Sequence, residues 1–437
     1  MPFCEVGGDG GASNGFKIFY KTYGHGPTKV LLIIGLAGTH DSWGPQIKGL
    51  TGTETPNDDD FTVVDRKPGG DGGNGLVEVC AFDNRGMGRS SVPTRKSEYT
   101  TKIMAKDAIA LLDHLGWKKA HVFGHSMGAM IASKLAAMVP NRVLSLALLN
   151  VTGGGFQCFP KLERRTISIA IRFLRAKTPE QRAAVDLDTH YTKEYLEEYV
   201  GADTRRTILH HEYVKGISTT GMQSSCGFDG QINACWTHKM TNTELELIRS
   251  AGFLISIIHG RWAVIAQNVT PCYSPFEKII IYGTPERISF FFFGLYRYDV
   301  IAQIYYARKL AEKLYPSSRM IDLHGGHLVS HERTEEVNQA LYELIKASEM
   351  KISPSEWTNL PMESSGTQMS LLSRSNADGG FMLSTVEKLR LCLVYLFGLL
   401  VLVYEYIRRA LRSLKPVRER KEKPNSLPLF FLQGLVY

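Results

Sequence analysis

Residues 120–138 read AHVFGHSMGAMIASKLAAM. The opening AHVFG has the make-up of a buried strand, MGAMIASKLAAM has that of a helix, and GHSMG at 124–128 joins the two. A G-x-S-x-G carries meaning in this setting that the pentapeptide alone lacks. Small Gly124 and Gly128 let the chain turn sharply around His125, which forces Ser126 into a strained conformation with its hydroxyl exposed above a sheet. The helix that follows aims its first amides at the same spot, so the N–H of Met127 is an expected oxyanion donor beside a nucleophilic Ser126.

Working outward, KVLLIIG ends a buried strand within 16–35, and LVEVCAFD at 76–83 is a second. Between the second strand and AHVFG, TKIMAKDAIALLDHLGW places Ile103, Ala108, Leu111, Leu112 and Leu115 on one helical face. Pro140 stops the helix after GHSMG, and LSLALLN at 144–150 is a further strand. Strand, helix, strand, helix, strand predicts an α/β fold with a mostly parallel central sheet flanked by helices. The rhythm resumes with GFLISIIHG at 252–260 and SRMIDLHGGH at 318–327, and TEEVNQALYELIKAS closes the domain near Ser348.

The expected organisation is therefore a core from 15–152 and 251–348, interrupted by a Gly, Asp and Pro-rich loop at 51–75 and by an inserted helical lid at 153–250 that lacks a strong strand. A polar linker is expected over 349–385, and a hydrophobic helix with a basic tail over 386–437.

Two further stretches carry chemistry. IIGLAGTHDSW at 33–43 follows the first buried strand; Gly35 leaves the backbone open and makes the Leu36 N–H the expected second oxyanion donor. LHGGHLVSHE at 323–332 offers three histidines, of which His327 sits in the tightest turn and is the expected base, with His324 and His331 as rivals.

VLLIIGLAGTHDSW, FDNRGMGRSS, VFGHSMGAMIA and GGHLVSHE together resemble the α/β-hydrolase superfamily, most closely its plant and fungal single-domain members. The resemblance covers roughly 15–348. It implies an α/β-hydrolase fold and a chain order of Ser, then Asp or Glu, then His, with the acid just after the strand that precedes the final one.

VIAQ occurs twice, at 264–267 and 300–303, and only the second copy is preceded by a carboxylate, Asp299. The strand LISIIHG runs into Arg261-Trp262-Ala263 with no acid, whereas removing 262–297 yields IIHGRYDVIAQIYYARKLAEKLYP, a strand, an acid and a helix. Residues 262–297 thus read as an insertion, either a loop or retained intron sequence, and Asp299 is the expected acid. IIIYGTPE inside the segment makes Glu286 an outside candidate.

The implied activity is hydrolysis of a carboxylic ester, lipid or otherwise hydrophobic, by an esterase- or lipase-like Ser126–His327–Asp299 triad through an acyl-enzyme. Two alternatives stay open: a small-ligand receptor of the same superfamily, and an inactive form in which the insertion displaces the acid. No motif suggests a metal, nucleotide or flavin, so no cofactor is expected.

The balance of 51 Lys and Arg against 43 Asp and Glu gives +8, but Glu405 to Lys423 alone holds eight Lys or Arg against three Glu. That distribution argues against a nucleic-acid partner, which needs a basic face on a folded domain. Seven scattered cysteines without metal spacing suit a reducing compartment, and MPFCEVGGDGG lacks the features of a secretory signal. Asn150-Val-Thr is a formal glycosylation sequon of no consequence there. From Leu391 to Tyr404 the chain carries no charge for 14 residues. Membrane lipid is accordingly expected to engage 389–423, as a short spanning or interfacial helix, with the protein intracellular and membrane-associated and its basic tail cytoplasmic.

Overall fold

The computed structural model describes residues 2–7, 15–57, 76–158, 164–220, 223–262, 297–299 and 301–360. The described residues fall within one compact unit, Met1–Met362; the second unit, Glu363–Tyr437, lies outside them.

The first half lays down β1 (Phe3–Val6), β2 (Phe16–Tyr23), β3 (Thr28–Ile33), α1 (Gly44–Thr51), β4 (Val77–Phe82), α2 (Thr101–His114), β5 (Ala120–His125), α3 (Met127–Met138) and β6 (Val143–Leu149). Strands β3 to β6 are continuous apolar runs because both of their faces are covered. Along β3 the period of two is visible in the packing. Leu31 and Ile33 join the cluster formed with α2 and α3, while Val30 and Leu32 join the opposite cluster with α1 and the C-terminal helices.

After β6 come the inserted helices α4 (Arg164–Arg175), α5 (Pro179–His190), α6 (Lys193–Glu197), the two-residue pair β7 (Tyr199–Val200) and β8 (Asp203–Thr204), α7 (Arg205–Thr220) and α8 (Ser225–Thr237). The second half of the core then begins with α9 (Asn242–Ser250), whose Leu245 and Ile248 join the cluster formed with α2 and α3, and β9 (Leu254–Trp262). It continues with β10 (Arg297–Tyr298), α10 (Ile304–Leu314), β11 (Ser318–Leu323), α11 (Val329–Glu332), α12 (Thr334–Glu349) and α13 (Pro354–Asn359).

Nine strands form one sheet in the order β1-β2-β4-β3-β5-β6-β9-β10, with β11 also paired to β9. The pairs β3·β4, β3·β5, β5·β6, β6·β9 and β9·β11 are parallel. The chain steps from β3 one way to β4, then crosses back to β5 on the other side of β3. This reversal opens a crevice at the carboxyl ends of β3 and β5, the place where open α/β sheets hold their ligands.

Two expectations are corrected. The stretch 349–385 does not start as a linker: Ser353 caps α13, its side chain accepting the Glu356 N–H while Glu356 reaches back to the Ser353 N–H. That helix buries Trp357, 1% exposed, whose Nε1 donates to the Ile255 carbonyl at 3.0 Å. Among the described residues, moreover, no helix is long and apolar enough to cross a membrane. The 389–423 segment lies outside them, and its 14 uncharged residues fall short of the roughly 20 that span a bilayer. The membrane-associated localisation expected from that tail therefore does not hold.

Within the loop expected at 51–75, residues 58–75 lie outside the described residues, as do 263–296 and Glu286 with them.

Candidate active site

Ser126 sits between the end of β5 and the start of α3 with φ 55° and ψ −119°. A positive φ costs a non-glycine residue about 1–3 kcal/mol and persists only where the surroundings impose it. Here the Ser126 N–H donates to the Leu149 carbonyl at 2.8 Å, and the two glycines permit the crowding. A Cβ on Gly128 would lie 1.9 Å from the Ile33 carbonyl oxygen, and one on Gly124 would lie 2.4 Å from that of Gly128. Any side chain at either position would push the elbow off the sheet.

His327 follows β11 in a turn that brings its ring over this elbow. The Ser126 Oγ and His327 Nε2 are 3.0 Å apart. On the other side, His327 Nδ1 lies 2.7 Å from Asp299 Oδ2. A carboxylate can only accept, so Nδ1 carries the proton and Nε2 is left to accept from the serine hydroxyl. The three side chains form one line of contacts at the crevice, and the insertion does not displace the acid.

The reason is visible at the insertion's two ends. Trp262 and Arg297 are direct antiparallel partners, as are Arg261 and Tyr298. The chain leaves β9 and rejoins it opposite the point of departure, so Asp299 falls where it would have followed β9 directly. Partners facing each other across an antiparallel pair are about 4.5–5.5 Å apart.

Asp299 is fully engaged. Its Oδ1 accepts the Ile301 and Ala302 N–H groups at 2.8 and 3.0 Å, and its Oδ2 accepts from His327 and from Asn150 Nδ2, the latter at 2.8 Å. Burial opposes its ionisation, but the neighbouring His327, His259 and the Ala302 amide outweigh burial and hold the carboxyl well below the usual carboxylate range.

His125, inside the elbow, braces the histidine loop: its Nε2 donates to the His327 carbonyl at 2.8 Å. Burial, with His327 adjacent, pushes His125 down to about 3, so its ring stays neutral and serves as a strut. The rival histidines lie elsewhere. His331 contacts the Ser42 carbonyl through Nε2 at 2.8 Å and the Tyr191 hydroxyl through Nδ1 at 3.2 Å, and burial lowers its pKa. His324 is half-buried at the end of β11 and makes no described hydrogen bond with Ser126.

Met127 opens α3, so its N–H has no acceptor within the helix and faces the crevice end of the sheet. Leu36 lies on the loop after β3, which passes directly beside the elbow: a Cβ on Gly35 would lie 3.1 Å from Ser126 Cβ. Both expected oxyanion residues thus flank Ser126.

Two residues that sequence reasoning missed complete the site. Asn150, at φ 48° and 1% exposed, is a buried bracket for the acid rather than a glycosylation site. Glu332 accepts the Gly326 N–H at 2.9 Å and the Thr192 N–H at 2.9 Å, so it fastens the His327 loop to the lid.

A profile of the alpha/beta hydrolase fold family matches residues 29–334. A RutD protein from Azorhizobium caulinodans, named for carbamate hydrolysis, is 30% identical over 180 residues, which is 41% of this chain and 54% of that protein. The acetyltransferase component of an acetoin cleaving system from Cupriavidus necator is 34% identical over 142 residues, 32% of this chain and 31% of the other. The chain thus spans about half or less of these curated relatives. Among solved structures, the enol-lactonase of Burkholderia xenovorans LB400 superposes with a TM-score of 0.53 at 17% identity, over 79% of this chain and 100% of that one. A carboxylesterase of Nitrososphaera gargenis gives a TM-score of 0.52 at 18% identity, over 80% and 100%. At such identities these two speak to the fold alone.

Proposed function

The chain belongs to the alpha/beta hydrolase fold family, and from that premise we propose that it is a serine hydrolase cleaving a carboxylic ester. The observation that carries the proposal is the contact line from Ser126 Oγ to His327 Nε2 at 3.0 Å and from His327 Nδ1 to Asp299 Oδ2 at 2.7 Å.

In this reading His327 takes the Ser126 proton as Oγ attacks the ester carbonyl, and the Met127 and Leu36 amides stabilise the developing oxyanion. Asp299 stays ionised and stabilises the imidazolium. His327 then returns the proton to the departing alkoxide, leaving an acyl group on Ser126. Water, deprotonated by the same imidazole, attacks the acyl carbonyl and frees the acid and the serine. A hydrophobic small-molecule ester is the substrate class proposed.

The likeness to RutD favours one second reading, a carbamate in place of the ester. The same nucleophile and oxyanion donors serve a carbamate carbonyl, whose nitrogen makes it less electrophilic.

The test is steady-state hydrolysis of p-nitrophenyl esters of two to eight carbons beside a p-nitrophenyl carbamate. The proposal expects ester turnover that Ser126→Ala lowers by about 10⁴-fold or more. Carbamate turnover exceeding ester turnover would favour the second reading, and no turnover of either would count against both.

A further inference from the structure

The buried face of α8 consists of Gly227, Gly230, Gln231 and Ala234. Two of these are glycines because the helix lies directly on the core. A Cβ on Gly227 would lie 2.1 Å from the Gly86 carbonyl oxygen, and one on Gly230 would lie 2.4 Å from the Tyr99 ring. Gln231 is the one long polar side chain on that face, and it is 0% exposed.

A buried amide is tolerated when both of its ends are hydrogen-bonded. The Gln231 Oε1 accepts the Ala37 N–H at 2.9 Å and the Gln223 Nε2 at 2.9 Å, and its Nε2 donates to the Arg85 carbonyl at 3.0 Å. Ala37 is the residue after Leu36 and sits at φ 60°, a conformation an alanine keeps only when held. On the other side of Leu36, the Ile34 carbonyl accepts Asn84 Nδ2 at 2.7 Å. The Leu36 peptide is therefore bracketed by two side-chain amides, one from the core and one from the lid. Both brackets rest on the same turn, since Asn84 belongs to it and Gln231 donates to its Arg85 carbonyl.

We propose that Gln231 is a lid-borne positioning residue that sets the Leu36 amide of the oxyanion pocket, so that the seating of α8 controls transition-state stabilisation without touching the substrate. This rests on the serine hydrolase reading above. If Gln231 lets go, Ala37 loses its anchor and the loop can relax out of the left-handed conformation, turning the Leu36 N–H away from the oxyanion while Ser126, His327 and Asp299 keep their contacts.

The test uses the full chain with Gln231→Leu, which fills the space without an acceptor, and Gln231→Glu, which keeps the acceptor oxygen for Ala37. Fluorophosphonate titration of Ser126 gives the concentration of working sites, so loss of folded protein is removed from every rate. Each form is assayed with p-nitrophenyl butyrate and with phenylboronic acid. Ser126 Oγ adds to the boron while its proton passes to His327, and the resulting tetrahedral boronate places an oxygen in the pocket as the reaction's oxyanion would.

Losing a full oxyanion donor costs about 10²–10³ in kcat. A displaced donor predicts for Gln231→Leu a kcat per titrated site lower by about 10- to 100-fold, boronate inhibition weakened by the same factor, and KM within about threefold. Gln231→Glu, which keeps the acceptor for Ala37 but turns an oxygen toward the Arg85 carbonyl, should recover part of both. Unchanged boronate inhibition in Gln231→Leu, in a chain whose Ser126 labels normally, overturns the positioning role alone. Failure of Ser126 to label in the unaltered chain overturns the hydrolase reading, and the positioning role falls with it.

Discussion

The Asn150 side chain donates to Asp299 Oδ2 at 2.8 Å, the same oxygen that faces His327 Nδ1 at 2.7 Å. Asn150 directly follows β6 and Asp299 directly follows β10, the short strand paired with β9 next to β6, so the ends of these strands deliver a bracket and an acid to one point. Asn150→Ala should free Asp299 to rotate and lower kcat by about tenfold with KM little changed. Asn150→Asp should do worse, because a second carboxylate replaces a donor at hydrogen-bond distance from the first. Equal kcat in all three forms would remove Asn150 from the site.

The facing of Trp262 and Arg297 across β9 and β10 makes a prediction about the residues between them. A chain lacking 262–297 joins Arg261 to Tyr298, which face each other across the same pair, and keeps Asp299 within reach of His327. Its ester turnover per labelled Ser126 should match that of the full chain within about threefold. Loss of labelling in the shortened chain, with its fold intact by circular dichroism, would show that the insertion supplies something the site needs.

Trp357 predicts where the core ends. Removing a buried tryptophan costs about 3–5 kcal/mol, so Trp357→Ala should shift urea unfolding by that amount. A chain ending at 352 should be destabilised at least as much as Trp357→Ala. A Trp357→Ala midpoint equal to the unaltered chain's would mean that α13 does not pack on the sheet.

Buried histidines should make the protein less stable as the pH falls below about 6.5. Burial holds His121 down to about 4, and His125 and His238 down to about 3. Their unfolded values lie near 6.5, so between about pH 6.5 and 3 the unfolded chain binds more protons and stability falls as pH falls. Each group contributes up to about 1.4 kcal/mol per pH unit within its window. Asp299 adds its own loss only below about pH 4, where its unfolded carboxyl protonates while the folded one remains charged. Urea unfolding at pH 7, 6 and 5 checks the sign. A free energy that is flat or rising toward pH 5 would contradict it.

The elbow was legible because its reasons are local: two glycines, a serine and the change from strand to helix lie within 19 residues. The parallel sheet was legible for a similar reason, since strands covered on both faces have unbroken apolar runs. Asp299 could be read only through the doubled VIAQ, which revealed a strand and a helix separated by an excursion. Asn150 could not be read at all, because its partner lies 149 residues away and only the pairing of β6 with β9 brings them together. Gln231 was hidden differently: a helix face made of Gly227 and Gly230 shows no apolar stripe, so its buried side looks like a surface. For α13 the signal was present in S-P-S-E-W, an N-cap, a first-turn proline and a capping glutamate, but the Ser- and Pro-rich composition around it suggested a linker.

The central claim is that Ser126 is an activated nucleophile. Incubating the full chain with a fluorophosphonate and mapping the modified peptide by mass spectrometry tests it without knowledge of the substrate. The account predicts a single phosphonylated residue, Ser126, with labelling lost in His327→Ala and slowed by about 10⁴-fold in Asp299→Asn. A chain that folds yet takes no label at Ser126, or labels equally well without His327, would contradict it.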